Sequence, residues 1–299
     1  MSWVPGGEFA MGSDRFYPEE GPVRRVAVDG FWMDEGPVTV AAFAAFVDAT
    51  GHVTEAEIAP DAADYPGADP DLLVPGSLVF RPSEGPVDLR DVRNWWAWVP
   101  GATWRAPEGP GSWVAGREEH PVTQVSFGDA AAYAAWAGAD LPTEAEWERA
   151  ARGGLEGAVF AWGDEFAPEG RMMANTWQGR FPWENLLEDG FAGTSPVGSF
   201  PPNGYGLHDV TGNVWEWTSD HYALPARPAR PCCVPSNPRV TAAEAAAVPG
   251  ETHPRRVIKG GSHLCAPNYC LRYRPAARQS ETVETSTGHI GFRCVVRPG

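Results

Sequence analysis

A residue that interrupts regular structure falls at roughly every fifth position of this chain, whose 299 residues include 34 glycines and 30 prolines. Long helices and long strands do not survive such punctuation. Disorder is excluded all the same, because 43% of the residues are hydrophobic and 14 are tryptophan. What remains is a compact fold of short elements joined by long ordered loops. Buried loops must pair their backbone groups through side chains, water or bound ions.

The segment richest in chemistry runs from Lys259-Gly260-Gly261-Ser262 through Cys265 and Cys270 to Arg272-Tyr273-Arg274. Gly260-Gly261 permits a sharp turn or a close backbone approach. Pro267 and Asn268 keep the stretch between the two cysteines from being regular helix. Two thiols on one short loop can close a disulfide, hold a soft metal, or be buried as small apolar groups.

The formal net charge of −16 argues against a nucleic-acid partner, since neutralising phosphates needs a basic face. The balance reverses in residues 253–299, which hold eight basic side chains, Lys259 and seven arginines, against Glu281 and Glu284. These cations either pair with the acidic remainder of the fold or lower the thiol pKa values of the nearby cysteines. The start of the chain shows no basic region followed by an apolar run, and no segment approaches 18 apolar residues. The expectation is a soluble, cytoplasmic monomer that does not engage membranes. Cys232, Cys233, Cys265, Cys270 and Cys294 are odd in number and clustered late, a poor disulfide framework.

Residues 1–35 read as short strands and turns. Thr39 is placed to cap a helix over 40–49 that ends at Gly51, with Phe43, Phe46 and Val47 on one core-facing stripe. Residues 55–118 read as loops. They hold an aromatic cluster, Trp95-Trp96-Ala97-Trp98 and then Trp104-Arg105, that is either a satellite core or the lining of a groove for an extended ligand. Ser126 with Asp129 starts a helix through Tyr133 and Trp136 to Gly138. The capping box Thr143-Glu144-Ala145-Glu146 starts another, over 144–152. These two Trp-bearing, alanine-rich helices are expected to share one core. Residues 222–256 read as a surface excursion, and residues 257–261 and 291–296 as short core strands bracketing the cysteine loop. Nothing divides or repeats the chain, so one domain over residues 1–299 is expected.

Several strings together resemble the sulfatase-modifying-factor superfamily. They are Leu141-Pro142-Thr143-Glu144-Ala145-Glu146-Trp147-Glu148, Asn203-Gly204-Tyr205-Gly206-Leu207, Gly212-Asn213-Val214-Trp215-Glu216-Trp217, Lys259-Gly260-Gly261-Ser262 and Gly291-Phe292-Arg293-Cys294. The resemblance covers nearly all of the chain and is weakest at 55–90 and 222–256. It implies an α+β, single-domain, C-type-lectin-like fold of low regularity. The tryptophan segment from Trp95 to Pro110, and Cys265…Cys270 with Arg272-Tyr273-Arg274 and Ala276-Ala277-Arg278, are similar to the formylglycine-generating enzymes within that superfamily. Members that serve as binding modules commonly lack the cysteine pair.

The resemblance implies an oxidase that converts the cysteine of a Cys-x-Pro-x-Arg segment in an unfolded sulfatase to Cα-formylglycine, using O2, a thiol reductant and copper(I). Cys265 and Cys270 would hold the copper, with Ser262 and Trp215 beside them as catalytic residues. Tyr269, Trp96, Trp104, Arg105 and His289 would contact the substrate. It further implies two structural calcium ions. One would take Asn175 and Asp189 with the carbonyls of Thr176 and Phe191, the other Asp209 and Glu216 with the carbonyls of Gly212 and Val214. Pro275 replaces a further cysteine of some relatives. Cys294 lacks the partner it has in secretory members, which supports a reducing compartment. His289-Ile290 stands where Asn-Leu is usual. Two alternatives share the fold: a non-catalytic, calcium-stabilised module binding peptide or sugar, and a sulfur-inserting iron oxygenase, for which the seven histidines show no close paired spacing.

Overall fold

The computed structural model describes residues 1–63, 65, 67–224, 234–245 and 254–299, so Cys232 and Cys233 lie outside the described residues. In chain order the strands are β1 (Ser2–Val4), β2 (Gly7–Met11), β3 (Arg24–Val28), β4 (Phe31–Met33), β5 (Gly76–Phe80), β6 (Trp96–Pro100), β7 (Trp215–His221), β8 (Arg255–Lys259), β9 (Arg278–Thr282), β10 (Ile290–Gly291) and β11 (Val295–Val296). The helices are α1 (Val40–Thr50), α2 (Phe127–Trp136), α3 (Glu144–Ala151) and α4 (Ala242–Ala245). The longest of these elements, α1, has 11 residues, as the glycine and proline content requires. None of the described helices is long and apolar enough to cross a membrane.

The helix starts follow local chemistry. Thr39 caps α1 by accepting the Ala42 N–H, and Gly51 closes it in the left-handed region at φ 69°. Ser126 with Asp129, and Thr143 with Glu146, form complete capping boxes at α2 and α3. The expectation of a common core for α2 and α3 fails. Ala130 and Ala134 of α2 join Phe43 and Phe46 of α1 in one apolar cluster. Ala145, Trp147, Ala150 and Ala151 of α3 pack with β2, β3 and β4 in another. Trp136 falls off the Ala130–Ala134 stripe and is 45% exposed, touching Phe46 and Tyr133 at the edge of that cluster rather than entering it.

Four sheets result. The largest has the order β10-β7-β8-β9, and a three-stranded sheet has the order β1-β4-β11. Residues 291–296, read as one strand, are two. β10 pairs parallel to β7, and β11 pairs antiparallel to β4. The break lies at Arg293, whose side chain is drawn into Glu216 while the backbone of Cys294 exchanges hydrogen bonds with Asp34. One short segment thereby ties the two sheets together. Residues 55–118 also hold more order than loops, because β5 and β6 pair antiparallel from Gly76↔Pro100 to Phe80↔Trp96. The β-branched and aromatic residues of both strands suit this hairpin.

β8 and β9 are antiparallel neighbours, and the cysteine segment is the connection between them, leaving and returning at the cross-strand pair Lys259↔Arg278. α3 holds both ends. Lys259 Nζ lies 3.1 Å from Glu148 Oε2 and 3.8 Å from Glu144 Oε1. Arg278 reaches the same Glu144 through Nε at 2.7 Å and Nη2 at 2.9 Å. Glu144 and Glu148 can do this together because i and i+4 share one helix face. The basic C-terminal stretch is therefore mostly paired with distant acids, as one of its two readings held: Arg274 with Glu20, Arg293 with Glu216, and Arg297 with Glu146.

Candidate active site

The chain leaves β8 through two glycines that admit no substitute. Gly260 has φ +95° and Gly261 φ +70°, and a Cβ on Gly261 would sit 2.8 Å from the Tyr273 nitrogen. Ser262 then organises the turn. Its carbonyl accepts the Cys265 N–H at 2.9 Å, its Oγ accepts the Leu264 N–H at 3.2 Å, and its own N–H faces Cys265 Sγ at 3.4 Å. The Cys270 N–H donates to the Ala266 carbonyl at 2.7 Å, which curls the segment back. The two sulfurs end 2.9 Å apart as free thiols, 2% and 6% exposed. That separation is well beyond the roughly 2.05 Å of a disulfide bond.

The two thiols are not equivalent. Burial, and then the neighbouring Cys270, push the Cys265 thiol up. Cys270 moves down, because the hydrogen bond from Cys265 and the charge of Arg272 outweigh its burial. Arg272 Nη1 stands 4.0 Å from Cys270 Sγ. Of the two, Cys270 is therefore the thiol that ionises first.

Both sulfurs open on a cavity of about 310 Å³, which Ser262, Trp215, Tyr269, Trp96 and His289 also line. Tyr269 stacks on Phe181 with centroids 4.5 Å apart and meets Trp95 edge-on at 5.2 Å. Burial, then the charge on Cys270, push its hydroxyl up to about 12, so it remains a phenol. The His289 ring lies 4.8 Å from that of Trp96, and its Nδ1 is 2.7 Å from Thr287 Oγ1. Burial, and then His263, bring His289 down to about 3, so its imidazole is neutral.

Two expected substrate contacts lie elsewhere. Trp104 is 1% exposed and packs edge-on against Phe43 of α1 at 5.2 Å, inside the main apolar cluster. Arg105 lays its guanidinium over the Trp104 ring at 4.1 Å. Neither lines the cavity, because the turn that pairs Thr103 with Ala106 directs Trp104 into the core. Trp95, left open between satellite core and groove lining, is both buried in a small aromatic cluster and a wall of the cavity; sequence reading missed Phe181 as a wall, along with the clamp on Arg272. That clamp comes from far away in the chain. Glu19 Oε1 accepts from Arg272 Nη2 at 2.7 Å, the Tyr17 ring lies 3.9 Å from the guanidinium, and the Tyr17 hydroxyl accepts the Leu271 N–H at 3.0 Å. Nothing around Tyr17 or Phe181 in the sequence signals these contacts.

Two buried free thiols at one cavity wall suit a soft ion such as copper(I). For calcium the two residue sets differ. Among the described residues no three His, Cys, Asp or Glu side chains gather into a metal cluster, so any hard cation would depend on mixed donors. Asn175 Oδ1 is buried without a partner, which fits a cation beside it. Asp189 takes the N–H groups of Thr176 at 2.9 Å and Phe191 at 3.0 Å, and the Thr176 carbonyl accepts from the Gln178 amide. Asp209 Oδ1 in the second set is likewise buried and unpartnered. Glu216 does not fit as a calcium ligand. Its carboxylate is held by Arg293 through Nη2 at 2.7 Å and Nε at 2.8 Å, and by the Trp147 indole N–H at 2.7 Å. Its charge is spent on a buried ion pair, leaving Asp209 with the carbonyls of Gly212 and Val214.

The chain matches the sulfatase-modifying factor enzyme 1-like domain over residues 1–298. It is similar to the formylglycine-generating enzyme of Mycobacterium tuberculosis, with 56% identity over 99% of this chain and 97% of the relative. It is 50% identical to the formylglycine-generating enzyme of Streptomyces coelicolor, over 97% of this chain and 87% of the relative. Among solved structures it resembles that of PvdO from Pseudomonas aeruginosa, with a TM-score of 0.62 and 25% identity over 98% of this chain and 92% of the other.

Proposed function

Because this chain belongs to the sulfatase-modifying factor enzyme 1-like family, we propose that it is an oxidase that matures sulfatases, converting the cysteine of a Cys-x-Pro-x-Arg segment in an unfolded sulfatase to Cα-formylglycine. The observation that carries this reading is the pair of buried free thiols, 2.9 Å apart, at the wall of a cavity of about 310 Å³. A binding module would have no use for such a pair.

Turning CH2–SH into an aldehyde takes two electrons from the carbon, whereas reducing O2 to water takes four. A thiol reductant supplies the other two and becomes a disulfide, while the carbon–sulfur bond breaks, the substrate sulfur leaves as hydrogen sulfide and the aldehyde oxygen takes its place. Copper(I), held by Cys265 and Cys270, would supply the chemistry with O2 that side chains alone lack. The residues of the chain have distinct tasks. Tyr269, Phe181, Trp95 and Trp96 wall the cavity and keep water from an extended peptide lying in it. Trp215, rigid in β7, and Ser262, fixed by its hydrogen bond from Leu264, keep the cysteine turn in one geometry, so the substrate sulfur is met by preplaced groups. Cys265 and Cys270, in contact with one another, both face the cavity and would turn their sulfurs to one ion. Neutral His289 offers a hydrogen bond to the peptide that does not vary near neutral pH. The unpartnered oxygens of Asn175 and Asp209 support structural calcium in the adjoining loops.

The test is aerobic incubation of the full chain with a synthetic peptide containing Cys-Thr-Pro-Ser-Arg, Cu(I) and a thiol reductant, read by mass spectrometry for the cysteine-to-aldehyde mass decrease. Conversion that disappears in Cys265→Ser and Cys270→Ser supports the reading. Binding of the peptide without conversion would hand the fold to the binding-module alternative.

A further inference from the structure

The cavity wall carries one clamped positive charge beside the cysteine pair, and its effect depends on the valence of the ion the pair holds. Arg272 Nη1 is 4.0 Å from Cys270 Sγ, its Nη2 is 2.7 Å from Glu19, and its guanidinium lies over the Tyr17 ring. It is contacted on three sides. Its Nε is buried with no partner, so the guanidinium is not exhausted by the Glu19 pair. The other basic side chains of this stretch are engaged elsewhere: Arg274 with Glu20, Arg278 with Glu144, and Lys259 with Glu148. Among the described residues, Arg272 and Glu281 are the only Asp, Glu, Lys or Arg side chains lining the cavity, and His289 is neutral.

Two thiolates around a monovalent cation make a complex of charge −1, whereas around a divalent cation they make a neutral one. A fixed positive charge about one hydrogen-bond length outside the complex favours the first over the second. The preference does not depend on how many protons the empty pair carries, because that starting state is common to both ions. We infer that Arg272, clamped by Glu19 and Tyr17, makes the Cys265–Cys270 pair selective for a monovalent soft cation over divalent ones. Glu19 opposes this effect from farther away, since its carboxylate partly cancels the guanidinium. The inference rests on the copper reading of the pair and adds to it the group that sets valence.

The experiment compares Cu(I), titrated anaerobically against a chromophoric chelator, with Cd(II), followed by its sulfur-to-cadmium charge-transfer absorption. The full chain is used as wild type, Arg272→Met, Arg272→Lys and Glu19→Gln. An opposite charge within about 4–6 Å ordinarily shifts an ionisation by ~1–3 decades, and the Glu19 pair places the effect here at the low end. The ratio of Cu(I) to Cd(II) affinity should therefore fall about tenfold or more in Arg272→Met, return toward wild type in Arg272→Lys, and rise in Glu19→Gln. A merely structural role would weaken both ions alike and leave the ratio where it was. An unmoved ratio in Arg272→Met, with Cu(I) still bound by wild type, overturns this inference and leaves the copper reading standing. A wild type that holds neither ion through its cysteines removes both.

Discussion

Glu148 holds one end of the cysteine segment, and replacing it with glutamine tests how the geometry of that segment is maintained. Glu148 is 1% exposed. Its Oε1 accepts from Arg152 Nη2 at 2.7 Å and from the Gly12 N–H at 2.7 Å, and its Oε2 lies 3.1 Å from Lys259 Nζ. Burial alone would raise its pKa. The charges of Lys259 and Arg152 overcome burial and bring it down to about 2, from an ordinary 4.5. At ~1.4 kcal/mol per pH unit, that difference is worth about 3 kcal/mol of folding stability at neutral pH. Breaking a buried pair from one side also costs ~3–5 kcal/mol, because the partner charge stays behind. The two routes to the magnitude agree.

The pH dependence gives a sharper test than the size. The folded pKa lies below the unfolded one, so the stabilisation is complete above about pH 4.5 and is lost as pH falls through about 2. Urea unfolding at pH 7 should find Glu148→Gln less stable than wild type by about 3 kcal/mol. At pH 3 the gap should shrink to about 1 kcal/mol, because the unfolded Glu148 is by then protonated while the folded one is still mostly ionised and must hold its charge at a growing cost. Glu156→Gln serves as the control. Its partner Arg25 is half exposed, and exposed pairs contribute about 0–1 kcal/mol. A gap below ~1 kcal/mol at pH 7, or one equal at both pH values, would refute the claim that α3 clamps the base of the segment electrostatically.

Three further outcomes follow from the same structure. Trp104→Ala should cost ~3–5 kcal/mol in denaturant unfolding while leaving the KM for the peptide within about twofold, since its ring packs on Phe43 rather than facing the cavity; a raised KM at unchanged stability would restore Trp104 to the substrate groove. Calcium should raise the Tm of the wild type and not of Asn175→Ala, checked by scanning calorimetry with and without chelator; equal shifts in both would remove Asn175 from any cation site. The His289 ring should keep its neutral NMR shifts from pH 8 down to pH 5, where an unperturbed histidine would titrate near 6.5, because its pKa lies at about 3. Its unfolded form binds the proton first, so stability should fall as pH drops below about 6.5, and less steeply in His289→Asn.

What could be read in advance was what is local. The capping boxes at Ser126 and Thr143, the cap at Thr39 and the glycine pair before Ser262 each carry their chemistry within a few positions, and each forms as expected. What could not be read were partners brought together by the fold. Glu216 looked like a cation ligand among loop carbonyls until Arg293, on the segment joining the two sheets, neutralised it. Arg272 was legible as a charge near cysteines, but its fixed position comes from Tyr17 and Glu19, near the opposite end of the chain.

These misses share a physical cause, and it bears on why a fold with so little regular structure can hold a site. A long strand or helix specifies its own register through a ladder of backbone bonds. The segment between β8 and β9 has no such ladder, so its position must be set at its ends and by groups reaching in from outside. Glu144 and Glu148 set the ends through Arg278 and Lys259, Glu20 takes Arg274 within the segment, and Glu19 takes Arg272 beside the sulfurs. Apolar residues of equal volume would fill the same space, often at no loss of stability, but would accept many orientations where a paired charge accepts few. The pairing of the acidic body with the basic C-terminal stretch is then the means by which a loop is held to the precision of a strand. If so, exchanging Glu20 and Arg274 together for a leucine–methionine pair should leave unfolding free energy within ~1 kcal/mol of wild type while loosening the segment, seen as faster amide exchange at Cys265 and Cys270. Unchanged exchange in that double variant would mean that packing alone positions the thiols.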